Sequence, residues 1–269
     1  MSPASEEIPV PTIDVNGTPV HYTAQGNGPG LLFVHGTAAD GETNWGHLRE
    51  HFTERHTVIT PDYSGSGKTP LHADDLSLDE LVDQVIGAAR AVTDQPFDIV
   101  GFSLGAVVSA AAAAKYPEMV RRLVVINGWA RNDDPRQQLA VDLWRRLPDI
   151  DAEAFAAYSA LLIFSPPFLA GFGSDGVKAT VAGITAEIGT LRQIELDHRV
   201  DISALLPAIG ARTLVVGSTR DQLIPVEHSR EIHQAIEGSE YAELESGHMV
   251  VFEKTAELVQ LVTEFLDRD

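Results

Sequence analysis

The residues best suited to chemistry begin with a serine between two glycines. Residues 101–105 have the sequence GFSLG, which fits the pattern G-x-S-x-G. In that pattern a serine on a sharp turn between a strand and a helix presents its hydroxyl as a nucleophile. The preceding DIVGF is typical of a strand and the following LGAVVSAAAAA of a helix. The five residues alone fit a helix-capping serine about equally well.

A serine nucleophile needs a base to remove its proton and a third group to orient that base. Asp221 follows the apolar run at 212–218, and His248 follows the run at 241–246. Taken singly, Asp221 fits a turn or a helix cap, and His248 fits a hydrogen-bonded surface histidine. All three residues nevertheless come after β-rich runs, and the carboxyl ends of parallel strands share one sheet edge. Together they are candidates for a triad, in which Ser103 would be the nucleophile, His248 the base and Asp221 the orienting acid.

Alternating β-rich and helical runs predict the framework that positions these residues. Two short runs, 10–15 and 19–25, flank Asn16-Gly17 and predict an antiparallel hairpin. Continuous apolar runs typical of a parallel sheet covered on both faces follow at 31–36, 56–62, 97–103, 122–128 and 212–218. A last strand is predicted at 241–246, and helices at 45–53, 78–93, 104–115 and 255–267.

The segment 131–208 departs from this alternation. It has helical patterning at 137–147, 151–164 and 176–194 but no convincing parallel strand. We therefore expect a helical cap at 131–208, inserted into a core formed by residues 1–130 and 209–269. The apolar cap residues Trp144, Tyr158 and Phe164 are candidates for substrate binding, although helix packing would use the same residues.

With these motifs in place, the chain resembles the α/β-hydrolase superfamily over nearly its whole length. The matching features are His35-Gly36, Asp62 with Gly65-x-Gly67, the serine turn, Asp221 with Pro225, and Gly247-His248. The resemblance implies an α/β-hydrolase fold, a mostly parallel eight-stranded sheet with helices on both faces and an inserted helical cap. It also carries Asp221 and His248 over as acid and base.

The same resemblance implies an oxyanion hole made of the backbone N–H groups of Thr37 and Leu104. The loop HGTAADGETNW at 35–45 differs from the HGGG form of some lipases. The implied activity is carboxylesterase-like cleavage of an ester-like bond in a small, largely apolar substrate, without a cofactor. Thioester cleavage or acyl transfer, carbon–carbon bond hydrolysis, and a non-hydrolytic cyclase or ligand-binding protein stay open, since one scaffold serves many functions.

Composition narrows the range of partners. The chain has 39 acidic and 19 basic residues, a formal charge of −20, and no cysteine. Such acidity disfavours nucleic acid and anionic membrane surfaces and leaves a small molecule as the expected partner. We find no signal-peptide pattern in MSPASEEIPVP and expect a cytoplasmic protein. The sequence does not indicate an oligomeric state.

Two other motifs invite functional interpretations that their spacing does not support. Gly65-Ser-Gly67-Lys-Thr resembles a phosphate-binding loop, but the position where that motif requires its first glycine is occupied by Asp62. His47 and His51 are four residues apart without the glutamate of the metalloprotease motif, and we predict a solvated helix face. No metal site is expected.

Overall fold

A computed structural model of the chain describes residues 11–71 and 75–268. Val10 of the predicted hairpin and the remaining residues of the predicted core, 1–9, 72–74 and 269, lie outside this range. The described strands are Thr12–Val15 (β1), Thr18–Gly26 (β2), Gly30–Val34 (β3), Thr57–Pro61 (β4), Phe97–Phe102 (β5), Val120–Ile126 (β6), Arg212–Ser218 (β7) and Glu240–Leu244 (β8).

The α-helices within the same residues are Gly41–Arg49 (α1), Leu78–Arg90 (α2), Leu104–Lys115 (α3), Pro135–Arg146 (α4), Ala152–Ile163 (α5), Pro166–Gly171 (α6), Gly173–Ala182 (α7), Ile188–Arg199 (α8), Val226–Ala235 (α9), Val250–Glu253 (α10) and Thr255–Asp267 (α11). Among them we find no helix with the length and apolar character needed to span a bilayer.

The strands form one eight-stranded sheet in the order β1-β2-β4-β3-β5-β6-β7-β8. The first two strands form the predicted antiparallel hairpin, with Val15 opposite Thr18 across the turn at Asn16 and Gly17. Strand β2 is also antiparallel to β4, and the pairs from β4 onwards are parallel. The parallel strands therefore carry their carboxyl ends to one edge, as the sequence predicts.

Helices cover both faces of the sheet, which explains the continuous apolar strands. On β3, Leu32 and Val34 pack into one buried cluster with α2 and α3, whereas Leu31 and Phe33 pack into a second cluster with α1 and α11. Successive side chains of a strand point to opposite faces, so a strand covered on both faces is apolar at every position.

Helix α1 begins four residues before the predicted start at residue 45. Asp40 accepts a hydrogen bond of 2.7 Å from the Thr43 N–H, while the Thr43 hydroxyl accepts one from the Asp40 N–H. This reciprocal capping box fixes the start at Gly41. The prediction of 45–53 was wrong at both ends, because the helix ends at Arg49.

Between β6 and β7 the chain forms α4 to α8 and no sheet strand. The single helix predicted at 176–194 was wrong, since α7 ends at Ala182 and α8 begins at Ile188. Glycine and β-branched residues at 183–185 favour such an interruption. Helix α8 then packs directly on the turn at Gly65, where a Cβ on Gly189 would lie 1.8 Å from the Gly65 carbonyl oxygen.

Candidate active site

Ser103 occupies the turn between β5 and α3 in a conformation that side chains rarely adopt. Its φ is 57° and its ψ is −124°. The flanking glycines are required by close packing, because a Cβ on Gly101 would lie 2.2 Å from the Gly105 carbonyl oxygen, and one on Gly105 would lie 2.2 Å from the Val34 carbonyl oxygen. No helix-capping bond is made by the serine side chain. Backbone strain of this kind is found at functional sites.

The three residues predicted as a triad are joined by hydrogen bonds. Asp221 Oδ2 lies 2.6 Å from His248 Nδ1, and His248 Nε2 lies 2.9 Å from Ser103 Oγ. An ionised carboxylate can only accept, so Nδ1 carries the imidazole proton and Nε2 accepts from the serine hydroxyl. All three residues are buried, at 5%, 3% and 5% exposure for Asp221, His248 and Ser103. This arrangement can take a proton from the serine as its oxygen attacks a carbonyl.

Loop contacts fix the acid and the base at their strand ends. The second carboxylate oxygen of Asp221, Oδ1, accepts hydrogen bonds from the N–H groups of Leu223 and Ile224 at 2.9 and 2.8 Å. The backbone carbonyl of His248 accepts one of 2.8 Å from Asn127 Nδ2. Asn127 directly follows β6, and its side-chain amide thereby supports the histidine loop.

Glu253 joins the histidine loop to the segment after α5. Its carboxylate accepts hydrogen bonds from the N–H groups of Gly247 and Ser165 at 3.0 and 2.7 Å, and from the Ser165 hydroxyl at 2.6 Å. A Cβ on Gly247 would lie 2.4 Å from the Ser165 nitrogen. The glycine before His248 therefore allows this segment to pack against the loop.

The loop after β3 lies against Ser103, where the oxyanion hole is predicted. A Cβ on Gly36 would lie 3.0 Å from Ser103 Cβ. No described residue accepts a hydrogen bond from the N–H of Thr37 or Leu104, whereas the next N–H, of Ala38, is bound to Gln193 Oε1 at 3.0 Å. Leu104 is the first residue of α3, so its N–H also lies at the positive end of the helix dipole.

His35 supports this loop through its contacts with Tyr63. Its ring stacks on Tyr63 at a centroid distance of 3.9 Å, and the Tyr63 hydroxyl donates to its carbonyl oxygen at 2.8 Å. Burial lowers the pKa of His35. The imidazole of His35 is thus fully buried and stacked, and it serves to hold the loop in place.

A cavity of about 260 Å³ opens beside Ser103 and His248. Apolar and aromatic side chains form most of its wall, among them Trp129, Trp144 and Phe155. Of the predicted substrate-binding residues, the structure places Trp144 on this wall. Tyr158 and Phe164 are not among the described residues that line it. Tyr158 donates to the Ala140 carbonyl oxygen and Phe164 stacks on Phe168.

This geometry can be compared with known proteins. The family model that describes the "Alpha/beta hydrolase family" matches residues 31–261 of the sequence, which is most of the chain. The chain belongs to the alpha/beta hydrolase family. The family assignment and the mostly parallel eight-stranded fold predicted from the motifs are thereby confirmed.

Relatives of this α/β-hydrolase include enzymes named for several hydrolytic reactions. It is 40% identical over 257 residues to a pyrrolizixenacetamide deacetylase of Xenorhabdus hominickii, covering 94% of this chain and 97% of the relative. It is 25% identical to a putative carbamate hydrolase of Klebsiella pneumoniae, covering 76% and 78%. An enol-lactonase structure from Burkholderia xenovorans superposes with a TM-score of 0.84 at 22% identity, covering 96% and 100%. The two sequence relatives support hydrolase activity, and the lactonase structure shows the shared fold.

The α/β-hydrolase site also contains a carboxyl group that the sequence did not reveal. Asp197, on α8, lines the cavity and its Oδ2 accepts a hydrogen bond of 2.8 Å from the Thr37 hydroxyl. Burial raises the pKa of Asp197 to about 7, an effect that the bond from Thr37 opposes. The helix predicted at 176–194 stopped short of Asp197, and Thr37 lies 160 residues away in the chain. No local signal could have paired them.

Helix α8 is held in place by the motif that resembled a phosphate-binding loop. Gln193 Nε2 donates to Ser66 Oγ at 2.7 Å, and Gln193 Oε1 accepts from Ala38. The turn at 65–67 therefore supports helix α8, which packs directly on it. Among residues 11–71 and 75–268, no group of three or more histidine and acidic side chains could hold a metal ion.

Proposed function

We propose that this protein is a serine hydrolase that cleaves an ester-like acyl bond in a small, largely apolar substrate. The observation that supports the proposal is the continuous hydrogen-bonded series from Asp221 through His248 to Ser103. Its position on a strained strand-to-helix turn, beside an apolar cavity, matches the requirements of acyl transfer to serine.

In the proposed reaction, Ser103 Oγ attacks the substrate carbonyl carbon while His248 Nε2 takes the hydroxyl proton. The N–H groups of Thr37 and Leu104 donate to the oxyanion of the tetrahedral intermediate. Collapse breaks the bond to the leaving group, which departs with the proton from Nε2. Water then attacks the acyl-serine while His248 Nε2 takes its proton. As the second intermediate collapses, the bond from the acyl carbon to Ser103 Oγ breaks, His248 returns the proton to Oγ, and a carboxylic acid is released.

An amide is a second candidate for the bond that is cleaved. The relative that shares 40% identity over almost the whole chain is named a deacetylase of an acetamide. The cavity of about 260 Å³ suits a short acyl group with a modest leaving group. We therefore propose removal of a short acyl group from either an ester or an amide, with acetyl as the first group to test.

The test of this proposal is the replacement Ser103→Ala, assayed with p-nitrophenyl acetate. We expect kcat to fall by at least about 10³-fold, and a fluorophosphonate to add to the native chain at Ser103 but not to the variant. Ser109→Ala is the matched control, because Ser109 is a buried serine on α3 without a hydrogen-bond partner among the described residues. Unchanged hydrolysis by the Ser103 variant would refute the proposal.

Acyl transfer, which uses the same intermediate, is distinguished by adding an alcohol during turnover. If water is the acceptor, as we propose, acetate release accounts for all of the p-nitrophenol released. Formation of a new ester in preference to acetate would show that the protein is a transferase instead.

A further inference from the structure

The carboxyl group of Asp197 lies on the cavity wall with one oxygen unused. Its Oδ2 accepts from the Thr37 hydroxyl, whereas Oδ1 is buried and has no hydrogen-bond partner among the described residues. We propose that Asp197 is a specificity residue, whose carboxylate binds a protonated amine on the alcohol or amine part of the substrate. This inference rests on the proposed acyl hydrolysis and specifies its substrate class.

The charges around the cavity favour a cation. The ionisable residues among its described lining are Asp197, Glu187 and His248, and that lining includes no lysine or arginine. His248 already has Asp221 bound to Nδ1 and Ser103 bound to Nε2. A carboxylate substrate would therefore be desolvated beside two acidic groups without a counterion, which is costly. A substrate cation would supply the counterion that the cavity lacks.

An unused hydrogen-bond acceptor points to the same ligand. Gln137 Oε1, on α4, is a second buried acceptor without a partner among the described residues. Gln137 lines the same cavity as Asp197. An unsatisfied buried acceptor costs free energy comparable to a lost hydrogen bond, so a ligand that donates one is favoured. A protonated amine supplies such a donor.

Aromatic side chains complete a suitable environment for an ammonium group. Trp129, Trp144 and Phe155 line the cavity, and Trp144 and Phe155 stack at a centroid distance of 6.3 Å. Trp144 Nε1 already donates to Ser159 Oγ, so a hydrogen bond within the protein orients the indole ring. The faces of aromatic rings attract cations, and the attraction strengthens when the cation is removed from water.

The ionisation of Asp197 agrees with this assignment. Burial raises its pKa to about 7, so the side chain is balanced between its two forms near neutral pH. Binding a cation favours the charged form and lowers the pKa. Tyr63 interacts electrostatically with Asp197 but supplies no cation, because a phenol is neutral or anionic. Burial raises the pKa of Tyr63 well above its ordinary value, so the phenol stays neutral.

The cationic side chains on and beside α8 do not pair with Asp197. Arg192, on α8, forms no ion pair among the described residues, and its buried Nε has no hydrogen-bond partner there. Arg145, on the neighbouring α4, pairs with Asp142 and Glu195. Arg199, two residues after Asp197, pairs with Asp75 and donates to the Leu76 carbonyl oxygen. Asp197 therefore has no protein cation among the described residues.

The opening of the cavity is also acidic. Gly183, Thr185 and Glu187 line it and are exposed, so the cavity meets solvent at the break between α7 and α8. Glu187 places a carboxylate at this opening, and the chain carries a formal charge of −20. A field of this sign raises the local concentration of cations and their rate of entry.

Three acetates of equal size test the inference. They are 2-(dimethylamino)ethyl acetate, which is protonated near neutral pH, the neutral 3-methylbutyl acetate and the anionic 3-acetoxypropanoate. We expect the native protein to have the highest kcat/KM for the amine and the lowest for the carboxylate. Asp197→Asn should lower kcat/KM for the amine at least about tenfold and change it for the neutral ester by less than about threefold.

The asparagine variant keeps an acceptor for Thr37 and removes only the charge. Asp175→Asn is the matched control, since Asp175 is exposed on α7 and is not part of the cavity lining, and we expect less than about a threefold effect on any of the three esters. If Asp197→Asn lowers hydrolysis of the amine and the neutral ester by the same factor, or if the native protein prefers the neutral ester, the inference is wrong.

A measurement on the native protein makes the test independent of the variant's folding. The ratio of kcat/KM for the amine to that for the neutral ester should rise between about pH 6 and about pH 8, as Asp197 ionises. Any effect of pH that is common to both esters cancels in the ratio. A constant or falling ratio contradicts the inference.

A binding measurement separates this inference from the proposed hydrolysis. Calorimetry on Ser103→Ala should show tighter binding of 2-(dimethylamino)ethyl acetate than of 3-methylbutyl acetate, and the added change Asp197→Asn should remove the difference. If no ester is hydrolysed but the amine is bound in this way, the proposed function fails and the amine site stands. If esters are hydrolysed but binding ignores charge, the amine site fails alone.

Discussion

The side-chain amide of Asn127 donates a hydrogen bond of 2.8 Å to the backbone carbonyl of His248. It donates a second one of 3.0 Å to Ser218 Oγ, and it is buried with a φ of 50°. Asn127 thus connects the end of β6 to the end of β7 and to the histidine loop. It acts on the imidazole through the backbone and touches none of the reacting atoms.

Replacing Asn127 by alanine should displace the imidazole of His248 from Ser103. We expect kcat to fall by about tenfold, equivalent to about 1.4 kcal/mol, with KM changed by less than about twofold. Asn132→Ala is a matched control, because Asn132 donates a similar bond to the carbonyl of His198, away from the triad. Equal losses of kcat in both variants, or a loss confined to KM, would show that Asn127 does not position the base.

Replacing Asp221 by asparagine tests the role of the acid. The amide can accept from two backbone N–H groups as Asp221 does, but it cannot stabilise an imidazolium, and it can favour the wrong tautomer of His248. We expect kcat to fall on the order of 10³-fold or more, while circular dichroism shows a folded protein. A variant that retains a tenth of the native kcat would rule out the proposed triad.

The flanking glycines should be required for folding, irrespective of catalysis. Gly101→Ala and Gly105→Ala each place a methyl group about 2.2 Å from backbone oxygen atoms that belong to β3 or α3. Relief needs backbone movement, so we expect each change to destabilise the protein by about 3 kcal/mol or more, measured by urea denaturation. Gly210→Ala meets no atom within 4 Å and should change the free energy of unfolding by less than about 1 kcal/mol.

Stability should depend on pH through Asp197. Its pKa is about 7 in the folded protein against the ordinary value of 3.8, so the folded state binds this proton more tightly. The stabilising contribution is complete below about pH 4 and is lost as the pH rises through about 7. Asparagine does not titrate at this position.

From about pH 6 to about pH 8, the free energy of unfolding of the native protein should therefore fall by about 1 kcal/mol relative to Asp197→Asn. Urea denaturation of both proteins at the two pH values measures this difference, without any substrate present. A difference that stays constant or changes in the opposite direction would mean that Asp197 is already ionised at pH 6.

Local signals were sufficient for the sheet and for the serine turn. The apolar runs predicted the parallel strands because burial on both faces leaves no polar positions, and Gly101 and Gly105 are forced by the packing around Ser103. Helix ends were less accurate. The start of α1 depends on the capping box of Asp40 and Thr43, and the break before α8 was missed.

The sequence by itself determined that Ser103, Asp221 and His248 each follow a strand. The carboxyl ends of parallel strands lie at one edge of the sheet, so these three residues come together there. Only the tertiary structure decided how the insertion meets that edge. Helix α8 packs on Gly65 and Ser66, and this packing places Asp197 against Thr37, which lies 160 residues earlier in the chain. Contacts between distant segments have no local pattern, because they depend on how whole helices pack, and the charge of the cavity is set by such contacts.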